Sequence, residues 1–533
     1  MSQTASTSSD DAWCGRLAWL LFVVSAGLYF VTRQAAIAGD GIYFGDMLQQ
    51  GRLVNHHLLY LPLVWAVQTA ASMVINVTPE LAMKLVSALA GGVGVSVTFL
   101  IASRTLQTRA RSLVAAVTMM GLLGYWFHST ATELHSLHAA SAALLMLGLL
   151  RALDGRQGLD PTTWLLCAVG TLLVPLSHMS GYAAGLPVLY AICRVGPSLR
   201  RQLAMAVATG ALLFGVIYGG VYFASENLGS AVKFAVNVST TGFSWSTTQG
   251  VLVQFTLYAL PVMTLVPAGL RVLFRTSSLH GWFCLLWVIA WPVVSLRHVD
   301  DLYGSYHTAT YPAAVILAVV ALHGLAKTRA GAVVGLALAS APAWFLWNGD
   351  RVVGLIAWSV AATVLFLLAG RHVRRPRWSW LMVVVTFALT VPILWPVQRA
   401  DLIRDRIEKI SQLAAPEDLV LVVPTEGYDR FHWSRFFLSP DGKERAPCPA
   451  DLDWLAQYRP AMLPNGRDPV LQTYEAVVRD KLSKKMPIWF VGEIAGVSGS
   501  ADLNGFFDFL RRECRFEGVE TASLSIYRLV AKK

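Results

Sequence analysis

The sequence predicts an α-helical polytopic membrane protein: a bundle of about 13 transmembrane helices with outer juxtamembrane helices, followed by a small C-terminal α/β domain. Three observations predict it. Of the 533 residues, 55% are hydrophobic and only 14% are charged, with a mean hydropathy of +0.52; soluble domains carry roughly 25% charged residues. Apolar runs of spanning length recur up to Pro396, after which the composition turns polar. The arginines and lysines behind the net charge of +11 gather in short loops between alternate runs. Such clustering is a topology signal, and it argues against nucleic-acid binding.

The chain opens on MSQTASTSSDDAWCGR, polar and weakly charged. The apolar run that follows lacks a small-residue cleavage site and reads as an uncleaved first span over 17–37. Basic loops at Arg104–Arg111, Arg151–Arg156, Arg194–Arg201, Arg271–Arg275, Lys327–Arg329 and Arg371–Arg377 belong in the cytoplasm. The loops between them, His128–His135, Ser177–Ser180, Ser225–Thr247, Arg297–His307 and Asn348–Arg351, are richer in acids, histidines and aromatics and face out. If Leu58–Ile75 crossed the bilayer, Arg104–Arg111 would turn outward. The segment Asp46–Val74, interrupted by Pro62, is therefore read as helices along the outer membrane surface.

The remaining spans are expected at 80–103, 112–128, 136–151, 164–177, 181–195, 203–223, 248–272, 281–297, 308–325, 331–347, 352–370 and 379–397. Residues 1–397 form the membrane domain and 398–533 a soluble unit long enough for one small domain. In that unit Asp418–Pro424, Pro487–Ile494 and Ala522–Ala531 read as strands, and the stretches LQTYEAVVRDKLSKK and ADLNGFFDFLRREC read as helices. An odd number of spans places the unit on the outer, periplasmic side. It carries no GxGxxG and no GxxxxGK[ST]. Cys448 and Cys514 are its two cysteines, and two cysteines alone leave pairing open.

Polar residues beside a bilayer are costly and tend to serve a site. Asp40 lies between Gly39 and Gly41 at the outer mouth of the first span, where a carboxylate can deprotonate an acceptor hydroxyl or bind a cation. Asp46, Arg52, His56 and His57 follow, with Asp46 equally suited to capping a helix. The stretch HSTATELHSLHA supplies His128, Glu133, His135 and His138; Glu133 is the only acid between Glu80 and Asp154. Its spacing, E-x-H-x-x-H, is not the HExxH of zinc proteases. Arg297 can grip a phosphate with its planar fork or anchor at the interface. Asp300, Asp301 and His307 accompany it, Lys233 is a further outer cation, and His178 and Ser180 stand in the hairpin SHMSGY. Acids and histidines spread over several outer loops suit a reaction between a lipid-borne group and an outer acceptor.

In this arrangement the chain resembles the GT-C superfamily of polyprenyl-phosphate-dependent glycosyltransferases, including the protein O-mannosyltransferases and lipid A aminoarabinose transferases. GDGIYFGDM matches the acid that follows the first span, and NHHLLYLPL the surface helices with their His/Pro/Tyr-rich turn. YWFHSTATELHSLHAASAALLML is similar to a segment of the O-mannosyltransferases through Glu133, His135, Ser136 and Leu137. Asn55-His56-His57 stands where those families have His-Pro-Pro, and Asp40-Gly41 where they have Asp-Glu. The resemblance implies a GT-C-like bundle and transfer of a sugar from a polyprenyl-phosphate donor, probed with inversion at the anomeric carbon, to a lipid, glycan or protein acceptor. It implies Asp40 as base or metal-associated residue and Glu133 as the second acid. The lipid phosphate would lie near Arg297, Arg52 or Lys233, and Asp46, His56, His57, His135, Asp300, Asp301 and His307 would contact substrates. Whether a divalent cation such as Mg2+ or Mn2+ takes part stays open. The competing reading is a transporter or flippase of lipid-linked sugars, which internal repeats and midplane charges would favour; the sequence has no convincing repeat.

Overall fold

The computed structural model describes residues 7–35, 41–49, 51, 53–54, 57–106, 108–155, 158–224, 245–296, 304–325, 329–370, 379–399, 405, 409–410, 412–415, 418–422, 469–491, 501–520 and 525–532. The chain divides into two compact units, one of Met1–Gln34 with Phe44–Gln398 and one of Ala35–Tyr43 with Arg399–Lys533.

The larger unit is helical. It begins with α1 (Thr7–Val31), then two short helices, α2 (Gly41–Gln49) and α3 (Tyr60–Ser72). At 13 residues α3 is roughly 20 Å long, too short to cross the hydrocarbon core. Next come α4 (Pro79–Leu106), α5 (Arg109–Gly121), α6 (Leu123–Thr130), α7 (His135–Asp154) and α8 (Pro161–Ser177). A 3-10 turn (Met179–Ala184) leads into α9 (Gly185–Arg194) and α10 (Pro197–Ala224). After them stand α11 (Trp245–Leu257), α12 (Val262–Thr276) and α13 (Ser278–Ser295). A second 3-10 turn (Ser305–Thr310) opens α14 (Tyr311–Leu325), and α15 (Arg329–Ser340), α16 (Pro342–Trp347), α17 (Arg351–Leu368) and α18 (Trp380–Arg399) complete the bundle.

Among the described residues, eight helices are long and apolar enough to cross a membrane, or up to ten if each of two bent pairs is one span. This is a multi-span membrane protein. The expected 13 spans compare with these eight to ten because several are shorter or broken. The stretch 181–195 is a 3-10 turn and a ten-residue helix, and α8 and α18 are apolar but short. The expected span 112–128 bends by 60° between α5 and α6, where Leu122 is extended. The expected span 248–272 bends by 81° between α11 and α12, ahead of Pro261, which has no N–H to continue the ladder. The two breaks meet: Gly124 N–H donates to Tyr258 O at 2.9 Å. Backbone freed inside a bilayer has to find such a partner.

The helices pack in sequence, α1 on α4, α4 on α7, α7 on α8, α8 on α10, and α12 on both α14 and α17. The innermost, α14, is buried along nearly its whole length, which an all-apolar helix requires. Small residues allow close approach. Gly94 of α4 faces Tyr125 of α6, whose hydroxyl donates to Gly91 O at 2.9 Å.

The smaller unit carries a four-stranded sheet of order β1-β2-β4-β3. The strands are β1 (Leu419–Val422), β2 (Ile488–Val491), β3 (Cys514–Glu520) and β4 (Ile526–Ala531), with α19 (Pro469–Ser483) before β2 and α20 (Ala501–Glu513) before β3. β1 and β2 are parallel; β4 runs antiparallel to both its neighbours. Val478 and Phe509 from the helices pack with Leu419, Phe490 and Leu529 into its core. The sequence expects three strands and misses β3, whose alternation Cys-Arg-Phe-Glu is heavily charged and directly continues a helical pattern.

Candidate functional site

The buried polar groups of the larger unit converge on the start of α7. Two cap-region residues, Glu133 and His135, are held there from several sides. Ser87 Oγ of α4 donates to Glu133 O at 2.7 Å, and Thr308 Oγ1 of the second 3-10 turn donates to His135 O at 3.2 Å. Between them the two side chains form a buried acid–imidazole pair, with Glu133 Oε2 3.7 Å from His135 Nε2. That separation is an ion-pair distance and not a hydrogen bond.

Four further histidines surround this pair. His128, at the end of α6, meets His135 at 4.9 Å between ring centroids. His178, between α8 and the first 3-10 turn, lies 5.4 Å from His135 and 5.3 Å from His138. His57 stacks on His178 at 5.1 Å. The backbone explains this last contact, because Leu59 N–H donates to Leu176 O at 3.1 Å and ties the segment before α3 to the end of α8. Phe44 of α2 closes against His57 and Tyr60. Tyr60 is fully buried, and that burial, then the Glu133 charge, pushes its phenol up, so it remains protonated.

On the far side Tyr306 packs its ring 5.0 Å from His178 and 5.9 Å from His135. Trp291 of α13 donates its indole N–H to His138 Nε2 at 3.0 Å. His138 Nδ1 lies 3.0 Å from Ser177 Oγ, and Ser177 donates to Val174 O at 2.8 Å. His178 Nδ1 accepts from Ser180 N–H at 3.0 Å and lies 2.7 Å from Ser180 Oγ.

The cluster therefore brings together His57, Glu133 and His135 of the expected site residues. His307 shares the 3-10 turn with Tyr306, but neighbours in a three-residue turn point about 120° apart, and its ring packs on Phe255 instead. Asp46 sits on α2. Asp40, Arg52, His56, Lys233, Arg297, Asp300 and Asp301 lie outside the described residues. Sequence reasoning names His138, His178 and Ser180 as outer polar residues without placing them in the site, and it misses Tyr60, Ser177, Trp291 and the packing role of Tyr306. Trp291 lies in the apolar run WVIAWPVV, where nothing marks it out.

Among the described residues no three His, Cys, Asp or Glu side chains are placed to hold one metal ion together. The cluster offers one carboxylate among imidazoles, whereas Mg2+ and Mn2+ prefer oxygen-rich shells. These residues do not fit such an ion. What they can do is hold an anionic or hydroxyl-rich group through oriented N–H and O–H donors beside one carboxylate.

In sequence, the chain matches no protein-family profile and no curated protein. In fold it is similar to ArnT from Cupriavidus metallidurans in the apo state, with TM-score 0.55, 15% identity and 98% of each chain covered. It is also similar to the oligosaccharyltransferase of Archaeoglobus fulgidus in the apo form, with TM-score 0.51, 12% identity, 92% of this chain and 70% of that chain covered. A second structure of the same ArnT, bound to undecaprenyl phosphate, aligns at TM-score 0.46 with 16% identity and 98% of each chain covered. The chain has the GT-C fold that its sequence resemblance implies.

Proposed function

We propose that this protein is an integral membrane glycosyltransferase that moves a sugar from a polyprenyl-phosphate donor to an acceptor hydroxyl at the outer, periplasmic face of the inner membrane. The observation that carries the reading is the fold shared with ArnT over 98% of both chains. ArnT is a protein that binds undecaprenyl phosphate, and a lipid-linked phosphate is the donor that a polytopic enzyme of this fold is built to receive. The buried Glu133–histidine cluster supplies the chemistry, since such a desolvated polar cluster is costly unless it serves a ligand.

In the reaction the acceptor oxygen attacks the anomeric carbon as the bond to the phosphate oxygen breaks. The acceptor proton passes to a carboxylate, Asp40 in our reading, and the polyprenyl phosphate leaves as the anion. Phosphate is a good leaving group, so donors that stabilise its charge suffice and no strong acid is needed. Glu133 serves as the second acid, holding the acceptor or the sugar beside His135. Arg52, Lys233 and Arg297 are assigned to the donor phosphate; Asp46, His56, His57, Asp300, Asp301 and His307 are assigned to substrate contacts. The smaller unit is assigned to the periplasm.

The test is transfer of radiolabelled sugar from polyprenyl-phosphate donors to native acceptor extract in membranes holding wild type, Asp40→Asn or Glu133→Gln protein at equal abundance. Loss of a general base lowers the rate by roughly 10²–10⁴-fold. Asp40→Asn is expected to fall in that range and Glu133→Gln by about tenfold or more. If wild type transfers nothing while labelled lipid crosses the bilayer, the transporter reading replaces this one.

A further inference from the structure

The hydrogen bonds around His138 and His178 decide which nitrogen of each ring carries its proton. An indole N–H can only donate, so His138 Nε2, which receives Trp291 at 3.0 Å, bears a lone pair. The neutral His138 ring then keeps its proton on Nδ1, facing Ser177 Oγ, and Ser177 passes its own proton on to Val174 O. A backbone N–H also only donates, so His178 Nδ1, which receives Ser180 N–H at 3.0 Å, bears a lone pair as well. This ring caps the first 3-10 turn through that bond. Its proton is consequently on Nε2. A second proton could enter only at Nδ1, where it would confront the Ser180 N–H.

His178 is thus held in one tautomer by the chain's own fold. It stands among His57 from the segment before α3, His135 and His138 from α7, and Tyr306 from the second 3-10 turn, with Glu133 beside His135. A ring so fixed cannot accept a proton from a substrate, but it can donate a hydrogen bond without reorganising. The acceptor that rewards such a donor most is an anionic oxygen.

We propose that His178 is a fixed N–H donor to a phosphate oxygen of the donor substrate and not a proton acceptor, and that Ser180, through its backbone N–H, is the positioning residue that sets this tautomer. The proposal rests on the glycosyltransferase reading for the identity of the phosphate. It names a binding partner for that phosphate within the described cluster, in addition to the arginines.

Two measurements test it. The first uses wild-type protein with 15N-labelled histidine, His178 being assigned among the 12 histidines by the signal lost in His178→Gln. The expected ring is neutral, protonated on Nε2, and unchanged between about pH 5.5 and 8. A proton on Nδ1, or titration in that window, overturns the proposal without reference to activity. The second is binding of undecaprenyl phosphate and, separately, of inorganic phosphate to wild type, His178→Ala and His178→Gln protein in detergent. Glutamine places an amide N–H where Nε2 stood. Alanine is expected to weaken binding by about tenfold or more, the loss of one charge-assisted bond, and glutamine by about threefold or less. Equal losses in the two variants overturn the proposal. If wild type binds inorganic phosphate but not the lipid, the donor reading fails and the assignment of His178 survives; if it binds neither, both fail.

Discussion

The contact between α4 and α6 makes a sharp quantitative prediction. Gly94 faces the tip of Tyr125, and a Cβ built there would overlap the Tyr125 hydroxyl and lie 3.0 Å from Cζ. Tyr125 is fully buried, and its hydroxyl donates to Gly91 O at 2.9 Å. In Gly94→Ala the ring has to move. Overpacking costs about 2 kcal/mol, and losing the hydrogen bond about 1 kcal/mol. The higher helix propensity of alanine returns about 1 kcal/mol, so the net destabilisation is about 2 kcal/mol. Tyr125→Phe alone costs about 1 kcal/mol for the hydrogen bond. It also removes the atom that overlaps, so adding Gly94→Ala to it should cost close to nothing. The double-mutant cycle therefore closes with a coupling of about 2 kcal/mol. Unfolding of the four proteins by SDS titration in mixed micelles measures it. Additivity to within about 0.5 kcal/mol would refute the packing argument, and a stabilising Gly94→Ala would mean the position is open.

Other consequences can be checked alongside. Trp291→Phe removes the donor to His138 Nε2 and should destabilise the protein by about 1–3 kcal/mol in the same titration, as expected for a buried acceptor left unpaired; no change would mean that the bond contributes nothing. Burial raises the pKa of Asp160, but hydrogen bonds from Thr163 and then the Arg151 charge outweigh it and hold the carboxyl at about 2. Its folded pKa lies below the unfolded value near 3.9, so its contribution is present above about pH 4 and lost as pH falls through 2. The side chain is 52% exposed, which limits that contribution to below about 1 kcal/mol; Asp160→Ala should flatten the acid limb of the stability curve by that amount and no more. Burial, then the Glu513 charge, pushes the Cys514 thiol up to about 11, whereas Cys193 is exposed. Maleimide at about pH 8 should therefore label Cys193 and spare Cys514 until the protein unfolds. In right-side-out vesicles an impermeant maleimide should reach Cys193 only after permeabilisation, and immediate labelling would reverse the assigned orientation.

Much of this architecture is legible in the sequence because membranes impose a simple grammar. The all-apolar run of α14 can only be a buried span, and the acid-poor, arginine-bearing loops sort the two faces. The breaks are not legible in the same way. Gly121-Leu122-Leu123 is as apolar as the helices on either side, so nothing in hydropathy reveals the 60° bend. For the site, Glu133 stands out as a lone acid, and His57 and His135 as imidazoles in otherwise apolar stretches. Their convergence with His178 depends on helices joined through the Leu59–Leu176 and Thr308–His135 bonds, between residues more than 100 positions apart. Trp291 and Tyr60 contribute by the direction of one polar atom each, and composition carries no information about direction.

The bond between Gly124 and Tyr258 has a bearing on how such a protein can diverge. Each broken helix supplies what the other lacks, a donor without a carbonyl and a carbonyl without a donor, in a region where water cannot stand in. Straightening one alone would strand its counterpart, so the two interruptions are inherited as a single character. Among distant homologues they should be retained together or lost together, even where the residues around them share no identity. A chain that kept only one would have to have found a new partner for the orphaned group.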